Sequence, residues 1–197
     1  MKTRFAERRI DYTGRELRSG WLAEELGLEG DAIGGFRGSC MVSGRDLVDL
    51  EDFEAGNIVA GQDMLHFIVE IQGLCLAGIT FAQRLLCSMV QEILNLAGVG
   101  AGDGGGGARG AGAWVERRGD DLFVGEGKLS VSVATVSPKS GLIHLGLNVT
   151  TEGVPVKAAS LADLGVDPAW LADRVLAGFA AEADSCRKAS GKVRPVT

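Results

Sequence analysis

The stretch from Arg117 to Val149, RRGDDLFVGEGKLSVSVATVSPKSGLIHLGLNV, constrains the fold most, because it holds two alternating runs separated by a turn. Strand period puts Lys128, Ser130, Ser132 and Ala134 on one face of the first run, with Leu129, Val131, Val133 and Thr135 on the other. In the second run His144, Gly146 and Asn148 share a face, and Ile143, Leu145, Leu147 and Val149 lie opposite. Pro138 and Gly141 between the runs mark an antiparallel hairpin. The expected product is one aliphatic face on a core and one polar floor of small side chains with room for a ligand. Lys128, a lone ammonium on that floor, suits an anionic group.

A chain of 197 residues, 46% apolar and 23% charged, can bury a full core and reads as one globular domain over residues 1–197. A net charge of -6 argues against a nucleic-acid footprint, which needs a basic face. The longest apolar stretch, around Leu74 to Leu86, is interrupted by Gln83 and Arg84 and is too short and polar for a bilayer, so no membrane association is expected. Cys40, Cys75, Cys87 and Cys186 form no C-x-x-C pair, and MKTRFAERRIDYTG lacks the apolar stretch of a secretory leader. A reduced, cytoplasmic compartment is the expectation.

Along the chain, residues 4–12 suit a short strand and 15–26 a helix stopped by Gly27. Residues 31–43 suit a strand or hairpin interrupted by Gly34, Gly35 and Gly38. Residues 64–71 suit a mostly buried strand with His66, Ile68 and Glu70 on one face, and 75–97 a long core helix. The acidic segment from Asp46 to Glu54 reads as a solvated face. Residues 98–112, GVGAGDGGGGARGAG, read as a flexible linker; without a terminal G-K-[ST] they are no phosphate cradle. A last helix opens at Asp167-Pro168. Helices interleaved with mainly antiparallel strands give an α+β class.

From Arg118 to Val149 the chain resembles the catalytic core of the biotin and lipoate protein ligases. Asp120-Asp121-Leu122-Phe123-Val124, then Gly125-Glu126-Gly127 and Lys128-Leu129-Ser130, follows their order of polar pair, apolar strand, turn and lysine. His144 to Val149 looks like their later strand, and a Leu-x-x-Leu-Gly turn at 161–165 precedes the closing helix. The whole chain resembles more closely still an uncharacterised, largely archaeal family of that superfamily, domain of unknown function three-six-six. RRIDYTG, DLED, MLHFIVE and RRGDD through GLNV carry that likeness.

The resemblance implies a mixed, mostly antiparallel sheet flanked by helices, with ATP and Mg2+ as cofactors and a small-molecule ligand. It further implies an acceptor protein and, by analogy, a homodimer. Lys128 would meet the substrate carboxylate and α-phosphate, and Asp120 and Asp121 would stand near the nucleotide and its magnesium. With His144 as the second catalytic candidate, the ligand-binding candidates are Arg37, Arg45, His66, Arg118, Asp120, Asp121, Ser130, Ser132, Gly146 and Asn148. The ligases' Gly/Arg-rich loop has only Gly35-Phe36-Arg37-Gly38 and Gly44-Arg45 as counterparts here, the latter followed by acidic residues that repel a triphosphate. No cysteine follows Gly146-Leu-Asn-Val until Cys186, which argues against a thioester route. Two histidines far apart make no zinc site, and no protein-bound metal site is expected. The leading reading is a biotin/lipoate-type ligase or acyltransferase, the second a non-catalytic ligand-sensing or protein-interaction member of the same fold, and the third a distinct transferase or hydrolase with His144 as base.

Overall fold

The computed structural model describes residues 1–98 and 114–196. Its elements in chain order are β1 (Lys2–Phe5), α1 (Trp21–Leu26), β2 (Ala32–Ser43), α2 (Leu50–Ala55), β3 (Ile58–Gln72), α3 (Leu76–Leu96), β4 (Val115–Arg118), β5 (Asp121–Val124), β6 (Gly127–Lys128), β7 (Ser130–Val136), β8 (Ser140–Asn148) and α4 (Pro168–Gly191). Five strands form the main sheet in the order β1-β2-β3-β8-β7, and β4-β5-β6 form a small second sheet. The β1–β2 pair is parallel and the remaining pairs are antiparallel, so the α+β class with a mostly antiparallel sheet holds.

Both faces of the main sheet are covered, which is why every residue of β8 is buried. On one side Ile33, Leu65, Phe67, Val69, Ile143, Leu145 and Leu147 meet α3 and α4 through residues such as Leu86, Val90, Val175 and Phe179. On the other, Phe36, Met64, Ile68 and Leu142 meet Tyr12, Trp21, Leu22 and Leu26 from the N-terminal segment. The helices form where the sequence places them. Ile79, Gln83, Leu86, Cys87, Val90 and Leu94 recur at helical spacing along the buried side of α3. At α4, the Asp167 carboxylate caps Ala169 N and Trp170 N, and Pro168 occupies the first turn.

The N-terminal third departs from expectation. The first strand ends at Phe5, and residues 6–12 instead run beside β2 as a strap: Ala6 N donates to Gly35 O, Ile10 N to Arg37 O, and Tyr12 N to Ser39 O. The helix expected from residue 15 starts only at Trp21. Glu70 explains why the preceding turn is held where it is. Its buried carboxylate accepts from Ser19 Oγ, Gly20 N and Ser140 Oγ, joining that turn to the start of β8. The linker expected at 98–112 lies outside the described residues, apart from Gly98. Among the described residues no helix is long and apolar enough to cross a membrane.

Candidate functional site

The hairpin forms, but its register contradicts the expected polar floor. Val136 pairs with Gly141 with an even number of residues between them, so each even-numbered residue of β7 faces an odd-numbered one of β8. Ser130, Ser132 and Ala134 thus share a face with Leu147, Leu145 and Ile143, against α3. Val131 and Val133 share the other with Gly146 and His144. Ser130 and Ser132 are on the side of the sheet opposite His144.

Their hydroxyls are committed to structure. Ser130 Oγ accepts from Leu122 N at 2.8 Å. Ser132 Oγ accepts from Gln83 Nε2 at 2.7 Å and donates to Asp120 O at 3.1 Å, fixing the small sheet to the main one. Asn148 is used in the same way: its Nδ2 donates to Lys128 O at 3.0 Å and Ala159 O at 3.1 Å. Asn148→Ala leaves Ala159 O without its donor and Lys128 O with only the Ala159 N–H, and is expected to cost about 2 kcal/mol in urea denaturation; an unchanged midpoint would show the amide to be dispensable.

Lys128 belongs to β6, not to β7. Leu129 N turns away to Leu122 O, and this break carries the lysine beyond the edge strand. There it closes a groove of about 690 Å³ that follows β7, collecting side chains from both sheets. Lys128 and His144 both line it despite the register, as do Asp120, Asp121, Ser130, Ser132 and Asn148. Val131 and Val133 form an apolar floor, and Ile58, Val154 and Val156 supply further apolar wall. The acidic segment read as solvated forms the opposite wall, through Asp46, Asp49, Glu51 and Asp52 at and around α2.

With Asp120 and Asp121, six carboxylates among the described residues line the groove against one basic side chain, Lys128. Lys128 Nζ lies 2.8 Å from Asp121 Oδ2. Burial pushes the Asp121 carboxyl up more than Lys128 pulls it down. Asp120 is held at 2.7 Å by Arg84 and at 3.0 Å by Gln83. Each member of this acidic pair is therefore already engaged by a cation, an arrangement that does not fit a resident magnesium ion. Among the described residues no group of three metal-ligating side chains is assembled either.

His66 and Gly146 stand behind the groove. His66 Nδ1 and His144 Nε2 are 3.0 Å apart, and both rings are buried. Tyr12 stacks on His144 with ring centroids 3.6 Å apart, and Phe36 stacks on His66 at 5.0 Å. A Cβ at residue 146 would sit 3.1 Å from Met64 Cε and 3.3 Å from His144 Cε1, so a side chain there would press on both. Burial pushes the His66 imidazole down to about 4 and holds His144 well below the usual range, so both rings are neutral at pH 7. The arginines are elsewhere. Arg37 points to the α3–α4 side and binds Asp63 at 2.8 Å, Arg45 is exposed outside the groove, and Arg118 pairs with Glu116 over Phe123. Burial pushes the thiol of Cys87, beside Asp120, up to about 11, away from the reactive thiolate form.

Sequence reasoning missed Tyr12, the valine floor and the acidic wall. The valines were within reach of the alternation once the loop parity was known. Tyr12 carried no periodic signal, because it sits in an irregular strap.

The family model for Domain of unknown function (DUF366) matches residues 1–194. The chain belongs to this family. The uncharacterized protein MJ0805 of Methanocaldococcus jannaschii is 30% identical over 98% of this chain and 84% of its own length. A solved protein of unknown function from Pyrococcus horikoshi superposes over 100% of both chains with TM-score 0.88 and 38% identity. More distant structures have the ligase fold. Ta0514, a putative lipoate protein ligase from T. acidophilum solved with lipoic acid, matches 91% of this DUF366 chain and 84% of its own with TM-score 0.58 and 16% identity. The Aquifex aeolicus biotin protein ligase in complex with biotin and ATP matches 91% of this chain and 68% of its own with TM-score 0.53 and 13% identity. At such identities the likeness establishes the fold of the biotin/lipoate protein ligases.

Proposed function

We propose that the groove binds a small carboxylate-bearing or adenylated molecule whose anionic group is drawn to Lys128. The observation that carries this reading is the position of Lys128 as the one basic side chain among the described residues that line the groove. Its ion pair with Asp121 does not preclude the role: a buried carboxyl whose charged form is penalised yields its cation to a better-placed anion. The valine floor offers an apolar surface for an acyl chain or ring. Support from the fold comes from relatives solved with lipoic acid and with biotin and ATP.

If the reaction is ATP-dependent ligation to an acceptor protein, the Lys128 ammonium neutralises charge on carboxylate and phosphoryl oxygens as they approach. The acidic wall opposes a triphosphate, because each carboxylate repels it through a poorly screened space. That wall favours, as the second reading, a ligand-sensing protein that binds without adenylation. Titration calorimetry with ATP, biotin, lipoate, octanoate and the corresponding acyl-adenylates tests the proposal. Lys128→Ala is expected to weaken the ligand that binds by roughly 10- to 100-fold, the worth of one charge-assisted contact. Absence of binding by every compound would sink the proposal. Carboxylate-dependent ATP–pyrophosphate exchange would decide between ligase and sensor.

A further inference from the structure

Asp120 and Asp121 stand where the ligase resemblance implies a magnesium ion, and the chain brings two cations of its own to that acidic pair. Arg84 comes from α3 and Lys128 from β6, each to a different carboxylate, so the charges of the four side chains cancel.

Both carboxylate oxygens of Asp120 are taken. Oδ1 accepts from Arg84 Nη1 at 2.7 Å and Oδ2 from Gln83 Nε2 at 3.0 Å. The backbone of the same residue is pinned, since Asp120 O accepts from Ser132 Oγ at 3.1 Å and from Cys87 Sγ at 3.2 Å. Turning the carboxylate toward a metal therefore means breaking its bonds to α3. Gly119, at φ 68°, opens the way for the guanidinium, because a Cβ there would lie 3.0 Å from Arg84 Nη1. The other cation is equally fixed at its base. Lys128 N donates to Lys157 O, and Lys128 O accepts from Ala159 N and Asn148 Nδ2. Its Nζ then meets Asp121 Oδ2 at 2.8 Å.

Magnesium asks for oxygens free to close in to about 2.1 Å in octahedral array, and it gives up its water reluctantly. Two positive side chains on the same carboxylates occupy those oxygens and repel a divalent ion besides. The guanidinium keeps its charge at every accessible pH, so this barrier is permanent.

We propose that Arg84 is a positioning residue standing in for a divalent cation. By neutralising Asp120 it closes the acidic pair to metal, and the groove takes its anionic ligand on Lys128 with no metal between them. The inference rests on the reading of Lys128 as the anion site and deepens it by fixing which cations accompany the ligand.

Manganese(II) alone, an oxygen-seeking ion that broadens nearby amide resonances, tests this in the full chain without any ligand. In the wild type the amides of residues 119–122 are expected to keep their intensity. Selective broadening there, abolished by Asp120→Asn, overturns the proposal and needs no change at residue 84. Arg84→Ala leaves Asp120 without its cation and is expected to gain a manganese site at these amides, tighter than in the wild type by roughly 10-fold or more. Arg84→Lys keeps the charge and is expected to stay silent. A folded Arg84→Ala protein with no gain, or an equal gain in Arg84→Lys, overturns the proposal. A purely structural role for Arg84 would lower stability without creating a metal site.

Adenosine monophosphate separates this inference from the reading of Lys128. Calorimetry in magnesium chloride and in EDTA is expected to give the same affinity; tightening by roughly 10-fold or more with magnesium overturns the proposal. Failure of the nucleotide to bind in either buffer counts against the anionic-ligand reading and leaves the manganese result intact.

Discussion

Gly38→Ala is expected to destabilise the protein by at least about 3 kcal/mol, a fall in Tm of roughly 6–12 °C for a chain of this size. A Cβ at this position falls inside the van der Waals envelope of the Ile10 carbonyl oxygen and lies 2.5 Å from the Ile10 carbonyl carbon. The obstacle is backbone, so no rotamer change relieves it. The strap must lift from β2, stretching the bonds from Ile10 N to Arg37 O, Tyr12 N to Ser39 O and Met41 N to Tyr12 O. Lifting Tyr12 also uncovers His144, because the tyrosine ring is its stacking partner. The expected signature in thermal and urea denaturation is a lower midpoint together with solvent access to the histidine pair. Gly191→Ala, where an added Cβ meets open space near the end of α4, is the control and is expected to change stability by less than about 1 kcal/mol. Equal midpoints for the two variants would show that the strap does not bear on Gly38.

That strap also marks where the sequence stops being readable. Elements with a strong period were legible: α3 matched its expected span to within a residue because its apolar positions repeat, and α4 began where Asp167-Pro168 placed it. Residues 6–20 have no such period. They are held by long-range bonds to β2 and to Glu70, which no local pattern encodes. The hairpin failed for a different reason. Both strands were evident, but register depends on loop parity, and a change of one residue moves every side chain to the other face. Ser130 and Ser132 therefore went to the α3 side while Val131 and Val133 became the floor. Lys128 and His144 nevertheless line one groove, because the chain breaks away from β7 at Leu129 and brings the lysine round the sheet edge. The acidic segment is largely exposed, as its composition suggested, and its place on the groove wall comes from tertiary structure that no local pattern encodes.

Acidification from pH 7 to pH 4 is expected to remove about 3 kcal/mol of stability through His66 alone, with His144 adding to the loss. Burial holds the folded-state His66 imidazole at about 4, against 6.5 for the unreacted group. Between those values the unfolded chain binds protons that the folded chain refuses. Stability is therefore complete above about pH 6.5 and drains as pH falls toward 4. Asp11 and Asp63 oppose the depression by favouring His66 charge, but burial outweighs them. His144 is pushed in the same direction by burial and then by His66 beside it. Glu70 contributes at lower pH. Burial raises its carboxyl, yet hydrogen bonds from Ser19, Ser140, Gly20 N and Gln72 together hold it below the ordinary value, so its share is lost as pH falls through that lowered range. Urea denaturation of the full chain at intervals from pH 7.5 to 4 measures the sum. Replacing both histidines by glutamine, which does not titrate, is expected to flatten the curve between pH 6.5 and 4.5 and leave the steeper carboxylate limb below it. A double variant with the wild-type slope in the upper window would mean that the pair is not the source.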